Sequence, residues 1–177
     1  MDGSIDYAWT NTDGRDIAFT KAMVDWVESE FCVDEARIFS TGLSYGGIMS
    51  ETVACEMSDV FRAIGSIAGS LFDSPKNCGS LPIAAWITHG DADTIVPISG
   101  DITARDRILS ANGCDTTHTQ SIALVDTMSN PDTDVTCTVY NQCKSGNYPV
   151  VWCPVTGGLH LMPSFAGTEI AKFFLQF

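Results

Sequence analysis

A serine flanked by glycines is the clearest candidate for chemistry in this sequence. Residues 42–46, Gly-Leu-Ser-Tyr-Gly, fit the pattern G-x-S-x-G. The pattern falls between a predicted strand that ends at Gly42 and a predicted helix that starts at Tyr45. A serine on such a strand-to-helix turn adopts strained backbone angles and presents its hydroxyl above the sheet edge. The pattern therefore predicts that Ser44 is a nucleophile.

The residues around this serine fit the same interpretation. Glycines remove side chains that would clash on a tight turn and allow the helix to pack closely, and three of them occur here: Gly42, Gly46 and Gly47. The N-terminus of the following helix stabilises negative charge. We therefore expect the Tyr45 N–H to be one donor to an oxyanion.

A serine hydroxyl needs a base to take its proton, and the sequence offers three histidines. In a chain order of serine, acid and histidine, His118 and His160 remain as candidates for the base. His160 is favoured, because a glycine-flanked loop after the last predicted strand reaches the sheet edge that carries Ser44. His89 ends a predicted strand and is expected to be structural, holding the acid loop.

The acid has two candidates, Asp91 and Asp93, which follow the predicted strand at 83–88 in the run His-Gly-Asp-Ala-Asp. Both lie at the carboxyl end of that strand. Their spacing of two residues does not decide between them.

Alternating strands and helices are predicted to position these residues. Continuous apolar strands separated by helices indicate a parallel sheet covered on both faces. The predicted strands are 37–40, 61–68, 83–88 and 148–155, and the predicted helices are 16–31, 45–59, 100–112 and 167–176. Asp16 is expected to cap the first helix. We expect residues 1–15 to form a loop and 114–146 to form a long, irregular surface excursion held by disulfides.

Charge and composition narrow the function. The 177 residues contain 9 Lys plus Arg and 22 Asp plus Glu, for a net charge of −13. Such a surface repels phosphate backbones and anionic lipids, so we expect no nucleic-acid or membrane partner. With 45% hydrophobic residues the chain can bury the core of one domain. It has no apolar run of about 20 residues that could span a bilayer.

Seven cysteines indicate an oxidising compartment, and we predict a secreted protein with three disulfides and one free thiol. The sequence contains no CxxC pair, so no metal site is expected. Cys55 and Cys78 flank the strand near Phe61 and form a plausible pair. Cys137 and Cys143 are close enough in sequence to close a small loop.

Taken together, these motifs resemble the C-terminal part of an α/β-hydrolase. More narrowly, the sequence is similar to secreted feruloyl esterases and the related polyhydroxybutyrate depolymerase-like esterases of carbohydrate esterase family one. The resemblance runs from about residue 16 to the C-terminus and includes the segments 22–27, 32–39, 58–61, 89–97 and 148–153. In that family the acid is the aspartate of the pattern His-Gly-x-x-Asp-x-x-Val-Pro. In this sequence it is Asp93, the second aspartate of residues 89–97. The family usually places its histidine directly after a Gly-Gly pair, whereas here Leu159 intervenes before His160.

The resemblance implies a serine esterase that needs no cofactor. Its expected substrate is a feruloyl ester on plant cell-wall arabinoxylan or a small aromatic ester, with acetyl-xylan and polyester esterases as alternatives within the class. A peptidase of the same fold is less expected.

The family has roughly twice as many strands, so we expect the chain to be the C-terminal part of a longer enzyme. An open sheet edge and a free Cys32 are then expected. The second oxyanion donor would lie in the other part, which leaves a non-catalytic fragment as a rival interpretation.

Overall fold

In the part of the chain that the structure describes, six strands form one mixed sheet with helices on both faces. This computed structural model describes residues 8–71, 82–128, 130, 132–144 and 146–177. The strands are β1 (Phe39–Leu43), β2 (Ala63–Ile67), β3 (Ala84–Gly90), β4 (Gln120–Asp126), β5 (Thr133–Tyr140) and β6 (Val150–Val155). The helices are α1 (Arg15–Glu30), α2 (Tyr45–Glu56), α3 (Ser99–Asn112) and α4 (Ala166–Phe174).

The strand order is β1-β2-β3-β6-β5-β4, and the first four of these are mutually parallel. They correspond to the predicted parallel strands, so the predicted α/β fold is confirmed. In the ladder, Leu43 pairs with Ile67, and Ile67 pairs with Thr88. The carboxyl ends of β1, β2, β3 and β6 therefore meet at one edge of the sheet.

The prediction that 114–146 is irregular is wrong, although the disulfides expected to hold this region are present. Strands β4 and β5 form an antiparallel pair, and β5 pairs antiparallel with β6, so this region extends the sheet. The physical reason is an alternating pattern in which Val135 and Cys137 are buried while their neighbours are less so. Threonine and valine favour strands, and Thr136 and Thr138 lie on the face opposite Val135 and Cys137.

Each face of the sheet carries its own apolar core. On one face, α2 and α3 bury Met49, Val53 and Ile108 against sheet residues such as Ile64 and Ile87. On the other face, α4 packs a second set, which includes Trp86, Val151, Val155, Phe165, Ile170 and Phe173. The alternation of side chains along each strand supplies both cores at once.

Helix α1 is present as predicted, but much of its apolar side is exposed. Thr20 is its only buried residue, and the exposed large side chains near it are Phe19, Met23, Trp26, Val27 and Phe31. Within the described residues, the neighbouring strand β1 pairs only with β2. Asp16 is not the helix cap. Gly14 stands at that position with a φ of 76°, and Asp16 Oδ2 instead accepts the Asn11 N–H at 2.6 Å.

Two disulfides join Cys114 to Cys143 and Cys137 to Cys153. The predicted Cys137–Cys143 loop is therefore wrong. The β5–β6 register pairs Thr138 with Trp152, which brings Cys137 and Cys153 together.

The remaining cysteines agree with the prediction as far as they are described. Cys32 is free and exposed, as predicted. Cys55 is also disulfide-bonded, and its predicted partner, Cys78, lies outside the described residues. In the described ranges we find no helix long and apolar enough to cross a membrane and no metal-binding cluster of His, Cys, Asp and Glu.

Candidate active site

Ser44 lies on a strained turn between β1 and α2. Its φ of 58° and ψ of −120° fall outside the regions that non-glycine residues ordinarily adopt. Two backbone hydrogen bonds of 2.9 Å hold the turn: the Ser44 N–H donates to the Ile67 carbonyl, and the Ile48 N–H donates to the Ser44 carbonyl. The end of β2 therefore fixes the position of this serine.

Two of the three motif glycines are required by their surroundings. A Cβ on Gly42 would lie 2.6 Å from the Gly46 Cα, and one on Gly47 would lie 2.8 Å from the Ile67 carbonyl oxygen. Gly46 differs, since apart from its chain neighbours and its own helical backbone nothing in the described chain lies within 4 Å of the position its Cβ would take. The close approach at this turn is therefore made by Gly42 against the Gly46 backbone and by Gly47 against β2.

Tyr45 is the first residue of α2. The first N–H groups of a helix have no acceptor within it, so the Tyr45 N–H is available to an outside acceptor beside Ser44. Its side chain is exposed, which leaves this end of the helix open to a ligand.

Asp93 and His160 form a hydrogen-bonded pair at the same sheet edge. His160 Nδ1 lies 2.6 Å from Asp93 Oδ2, although the two residues are 67 positions apart. Asp93 Oδ1 accepts the N–H groups of Ile95 at 2.8 Å and Val96 at 3.0 Å. The Asp93 side chain is fully buried, whereas that of His160 is 14% exposed. The backbone of its own loop thus holds the Asp93 carboxylate, and the His160 imidazole reaches the surface.

The environment of Asp93 favours its carboxylate form. Burial alone would raise the pKa of Asp93. Hydrogen bonds from His160 and from the Val96 and Ile95 N–H groups, together with the charge of His160, outweigh burial and hold this pKa below its ordinary value.

Asp91, the other candidate acid, has a different partner. Its Oδ1 accepts the Gly157 N–H at 2.6 Å, and its own N–H donates to the Val155 carbonyl. Close by, a Cβ on Gly90 would lie 2.1 Å from the Gly158 carbonyl oxygen, so the two backbones are in direct contact. Asp91 therefore ties the loop after β3 to the loop that carries His160.

The other two histidines lie elsewhere. His118 is on the surface, with Nδ1 2.7 Å from Asp115 Oδ2. His89 is buried, with Nε2 2.9 Å from the Val96 carbonyl and Nδ1 2.8 Å from Asp101 Oδ2. The predicted structural role of His89 in holding the acid loop agrees with these bonds.

The structure brings the acid and the histidine together and leaves the serine hydroxyl unbonded. Within the described part of the chain, the Ser44 hydroxyl has no hydrogen bond, and His160 Nε2 also has no partner. Strands lie about 4.8 Å apart, so β1 and β3 are roughly 10 Å apart with β2 between them. The hydrogen bond between nucleophile and base is often long in a free enzyme and shortens when substrate binds.

Sequence reasoning missed two buried acids beneath this site, Glu51 on α2 and Asp101 on α3. The signal was present, because Glu51 lies three residues after Ile48 on the apolar side of its helix. Charged residues are almost never fully buried unless they are paired, so a glutamate at that position marks a buried polar contact.

Comparison with known proteins agrees with the fold and the motifs. Residues 4–73 match the prolyl oligopeptidase family. The chain is 33% identical over 163 residues to feruloyl esterase C of Emericella nidulans, covering 92% of this chain and 57% of that protein. It is 30% identical over 172 residues to a probable feruloyl esterase C of Aspergillus flavus, covering 94% of this chain and 60% of that protein. The chain thus spans a little under two thirds of the length of these relatives.

Solved structures of low sequence identity share the fold. An acetyl xylan esterase from Aspergillus awamori superposes with a TM-score of 0.66 at 19% identity, over 89% of this chain and 66% of that one. The esterase PE8 gives 0.61 at 16% identity, over 99% of this chain and 67% of that one. The chain has an α/β-hydrolase fold and is similar in sequence to feruloyl esterases over most of its own length.

Proposed function

We propose that this chain carries the catalytic residues of a secreted serine esterase that hydrolyses feruloyl esters on plant cell-wall arabinoxylan. The observation that carries the proposal is the 2.6 Å hydrogen bond between His160 and a fully buried Asp93. This pair lies at the sheet edge where the strained Ser44 turn ends β1. Nucleophile, base and orienting acid on three separate loops are the arrangement that acyl transfer to water requires.

In this mechanism Ser44 Oγ attacks the ester carbonyl carbon, and His160 Nε2 takes its proton. The same proton then goes to the leaving alcohol as the C–O bond breaks, which leaves an acyl group on Ser44. A water molecule attacks the acyl-enzyme, again with His160 as the base, and releases the acid. Throughout, Asp93 keeps His160 Nδ1 protonated and stabilises the imidazolium.

The Tyr45 N–H donates to the oxyanion that forms at each attack. Such donors act on charge that develops in the transition state, and removal of one costs about 100- to 1,000-fold in rate. The N-terminus of α2 adds its own favourable potential at this point.

Exposed apolar side chains next to the three catalytic positions fit an aromatic acyl group. Six large apolar side chains are exposed within two sequence positions of Ser44, Asp93 or His160. They are Leu43, Tyr45, Ile95, Leu159, Leu161 and Met162. Apolar surfaces with a few polar groups are typical of sites for small organic ligands. The feruloyl ring would contact this surface, and the sequence similarity to feruloyl esterases supports the same acyl group.

The disulfides and the negative charge of the chain fit an extracellular enzyme that acts on a mostly neutral polymer. Disulfides persist in oxidising compartments, and the net charge of −13 opposes binding to nucleic acids or anionic membranes. The proposed reaction needs no metal and no cofactor, because the serine, the histidine and the acid supply every proton transfer.

The test is release of ferulate from methyl ferulate by the native chain and by Ser44→Ala. Ser121→Ala serves as the matched control, since Ser121 is an exposed serine on β4. We expect activity in the native chain and the control, and loss in Ser44→Ala. Equal rates in all three proteins would refute a serine mechanism. A folded native chain without activity would favour the rival interpretation of a non-catalytic fragment.

Acetylated xylan, a short polyester and a peptide amide complete the substrate test. We expect ferulate release to be the fastest of the four reactions. Faster release of acetate would assign the chain to the acetyl esterases instead, and cleavage of the amide would move the proposal toward the peptidases.

A further inference from the structure

Three ionisable side chains are buried together behind Asp93. Glu51 on α2 and His89 on β3 are each 1% exposed, and Asp101 on α3 is 0% exposed. Glu51 faces both Asp101 and the Ser66 hydroxyl of β2, and Asp101 Oδ2 lies 2.8 Å from His89 Nδ1. The cluster therefore connects the helix that follows Ser44 to the strand that leads to Asp93.

Both nitrogens of His89 face hydrogen-bond acceptors. Nε2 lies 2.9 Å from the Val96 carbonyl oxygen and 3.2 Å from Asp93 Oδ2. Neither a carbonyl nor a carboxylate can donate, so Nε2 must carry a proton. Since Nδ1 faces the Asp101 carboxylate, a second proton there completes the hydrogen bonding. The geometry thus favours a buried imidazolium.

Glu51 and Asp101 cannot both be carboxylates without a cost. In that state both Glu51 oxygens and Asp101 Oδ1 are buried without a donor, and each such group is expensive. The backbone at Gly69 packs closely against these groups, because a Cβ on Gly69 would lie 2.4 Å from Ser66 Oγ and 3.2 Å from Asp101 Oδ1. One proton on Glu51 supplies the donor that Asp101 Oδ1 lacks.

The net effect of the surroundings is to favour the protonated form of both Glu51 and His89. Burial raises the pKa of Glu51 well above its ordinary value, and the charge and hydrogen bond of Asp101 raise it further, against a lowering by Ser66. Burial lowers the pKa of His89, but the contacts with Asp101, Val96 and Asp93 outweigh burial and raise it. The charged groups that act on Glu51 and His89 within the described residues are Asp101 from α3 and Asp93 from the loop after β3.

We propose that Glu51, Asp101 and His89 form a buried proton-sharing relay that holds Asp93 in place for the reaction. Glu51 is a neutral acid that donates to Asp101. The Asp101 carboxylate holds His89 as an imidazolium, and His89 donates from Nε2 to the Val96 carbonyl while its charge lies 3.2 Å from Asp93 Oδ2. The positive charge of His89 balances Asp101, so the three groups bury no net charge.

These three are positioning residues, because they act on the reaction through Asp93. His89 fixes the loop of Asp93 from inside, and Glu51 links that loop to α2, whose first residue follows Ser44. The relay thus rests on the proposed role of Asp93, and it adds a connection between the nucleophile and the acid that does not pass through substrate.

The direct test is nuclear magnetic resonance of ¹⁵N-histidine in the Ser44→Ala protein, so that the result does not depend on activity. The chain has only three histidines, and His118→Gln and His160→Gln assign the signals. At pH 7.5 we expect both ring nitrogens of His89 to give protonated shifts in this protein and with Glu51→Gln, whose amide still donates to Asp101. With Asp101→Asn we expect one of the two protonated signals to be lost. A neutral His89 at this pH in the protein with Asp101 intact would overturn the relay.

A second measurement remains valid if Asp101→Asn fails to fold. A proton held in the folded state and lost in the unfolded state lowers the folding constant by about tenfold per pH unit. We therefore expect denaturant midpoints to fall from pH 5 to pH 8, and Glu51→Gln to reduce this fall. The matched control is Glu30→Gln, at an exposed glutamate of α1, and it should leave the fall unchanged. An equal fall in Glu51→Gln would refute a neutral Glu51.

The two proposals fail separately. A neutral His89 in an active esterase would reject the relay alone. An imidazolium His89 in a folded chain that releases no ferulate would reject the proposed function and leave the relay standing.

Discussion

The two flanks of the sheet differ in how firmly they are packed. On the β3–β6 flank, every residue of β3 is buried, as are all residues of β6 except Pro154. A disulfide between Cys137 and Cys153 adds a covalent link from β5 to β6. On the β1 flank, no residue of β1 is buried, and α1 buries only Thr20.

This difference divides the candidate site between a rigid part and a less constrained part. Asp93 and His160 leave the packed flank, where Asp91 and Gly90 hold their two loops together. Ser44 leaves the end of β1, and its turn is fixed by the backbone of β2 and by glycine packing. Local opening concentrates where few apolar contacts are buried. Ser44 is therefore expected to be the most sensitive member of the candidate site to changes outside it.

The largest expected effect separates the two acids on the packed flank. Asp93→Asn should lower kcat for methyl ferulate by about 10⁴-fold, because the amide no longer keeps His160 in the required tautomer. Asp91→Asn should lower it by about tenfold or less, since an amide oxygen can still accept the Gly157 N–H. Steady-state kinetics on both variants checks this, and equal losses would contradict the assignment of Asp93.

A pair of phenylalanines compares the two flanks directly. Phe173 is 2% exposed against the β3–β6 sheet face, whereas Phe31 is 59% exposed after α1. Phe173→Ala should lower the free energy of unfolding by about 3 to 5 kcal/mol through a cavity, and Phe31→Ala should change it by roughly 0.5 kcal/mol or less. Denaturant unfolding gives both values. Similar losses would mean that Phe31 is covered in solution.

The disulfide between β5 and β6 should contribute about as much as a large core side chain. It closes a segment with a sequence separation of 16, for which the loop-entropy model gives about 3 kcal/mol. The double variant Cys137→Ala, Cys153→Ala should therefore unfold at a lower denaturant midpoint, and Cys32→Ala, at the free exposed thiol, should not. If the midpoint of the double variant were unchanged, the covalent link would not account for the firmness of this flank.

The glycines of the Ser44 turn test the less packed flank. Gly42→Ala should destabilise the chain by about 1 to 3 kcal/mol, because its Cβ would overlap the Gly46 backbone at 2.6 Å. Gly46→Ala has open space in a helix and should be neutral or stabilising by up to about 1 kcal/mol. Unfolding curves decide between them, and a greater loss for Gly46→Ala would reverse our account of the turn.

The dependence of stability on pH compares the buried acids and His89 with Asp93. The raised pKa values of Glu51 and His89 add stability below their ordinary values of 4.5 and 6.5, and this stability is lost as the pH rises. The lowered pKa of Asp93 adds stability above 3.8 that is lost as the pH falls. We expect thermal stability to be greatest at mildly acidic pH. A maximum above pH 8 would contradict the protonation of the buried cluster.

The sequence predicted the parts of this molecule that follow from local pattern. Apolar runs predicted the four parallel strands, and the turn chemistry around Ser44 predicted the change from strand to helix. The placement of His160 after the last strand followed from the order of the elements. Each of these rests on residues close together in the chain.

What could not be predicted depends on contacts between distant residues. Predicting the pairing of Cys137 with Cys153 requires the register of β5 on β6, and the threonines of β5 gave that segment a polar character. The partners of Glu51 come from β2 and α3, so its burial could not be predicted from the sequence of α2 alone. Spacing alone did not choose between Asp91 and Asp93. The family resemblance favoured Asp93, and in the folded chain Asp93 is the one that is hydrogen-bonded to His160.

The central claim is that Ser44 is a nucleophile activated by His160, and covalent labelling tests it most directly. A fluorophosphonate reacts when a serine oxygen attacks phosphorus and fluoride leaves, and mass spectrometry then locates the adduct. We predict one adduct on Ser44 in the native chain, a rate lower by at least about 100-fold in His160→Ala, and none in Ser44→Ala. An unlabelled Ser44 in a folded native chain, or equal labelling with and without His160, would contradict the account.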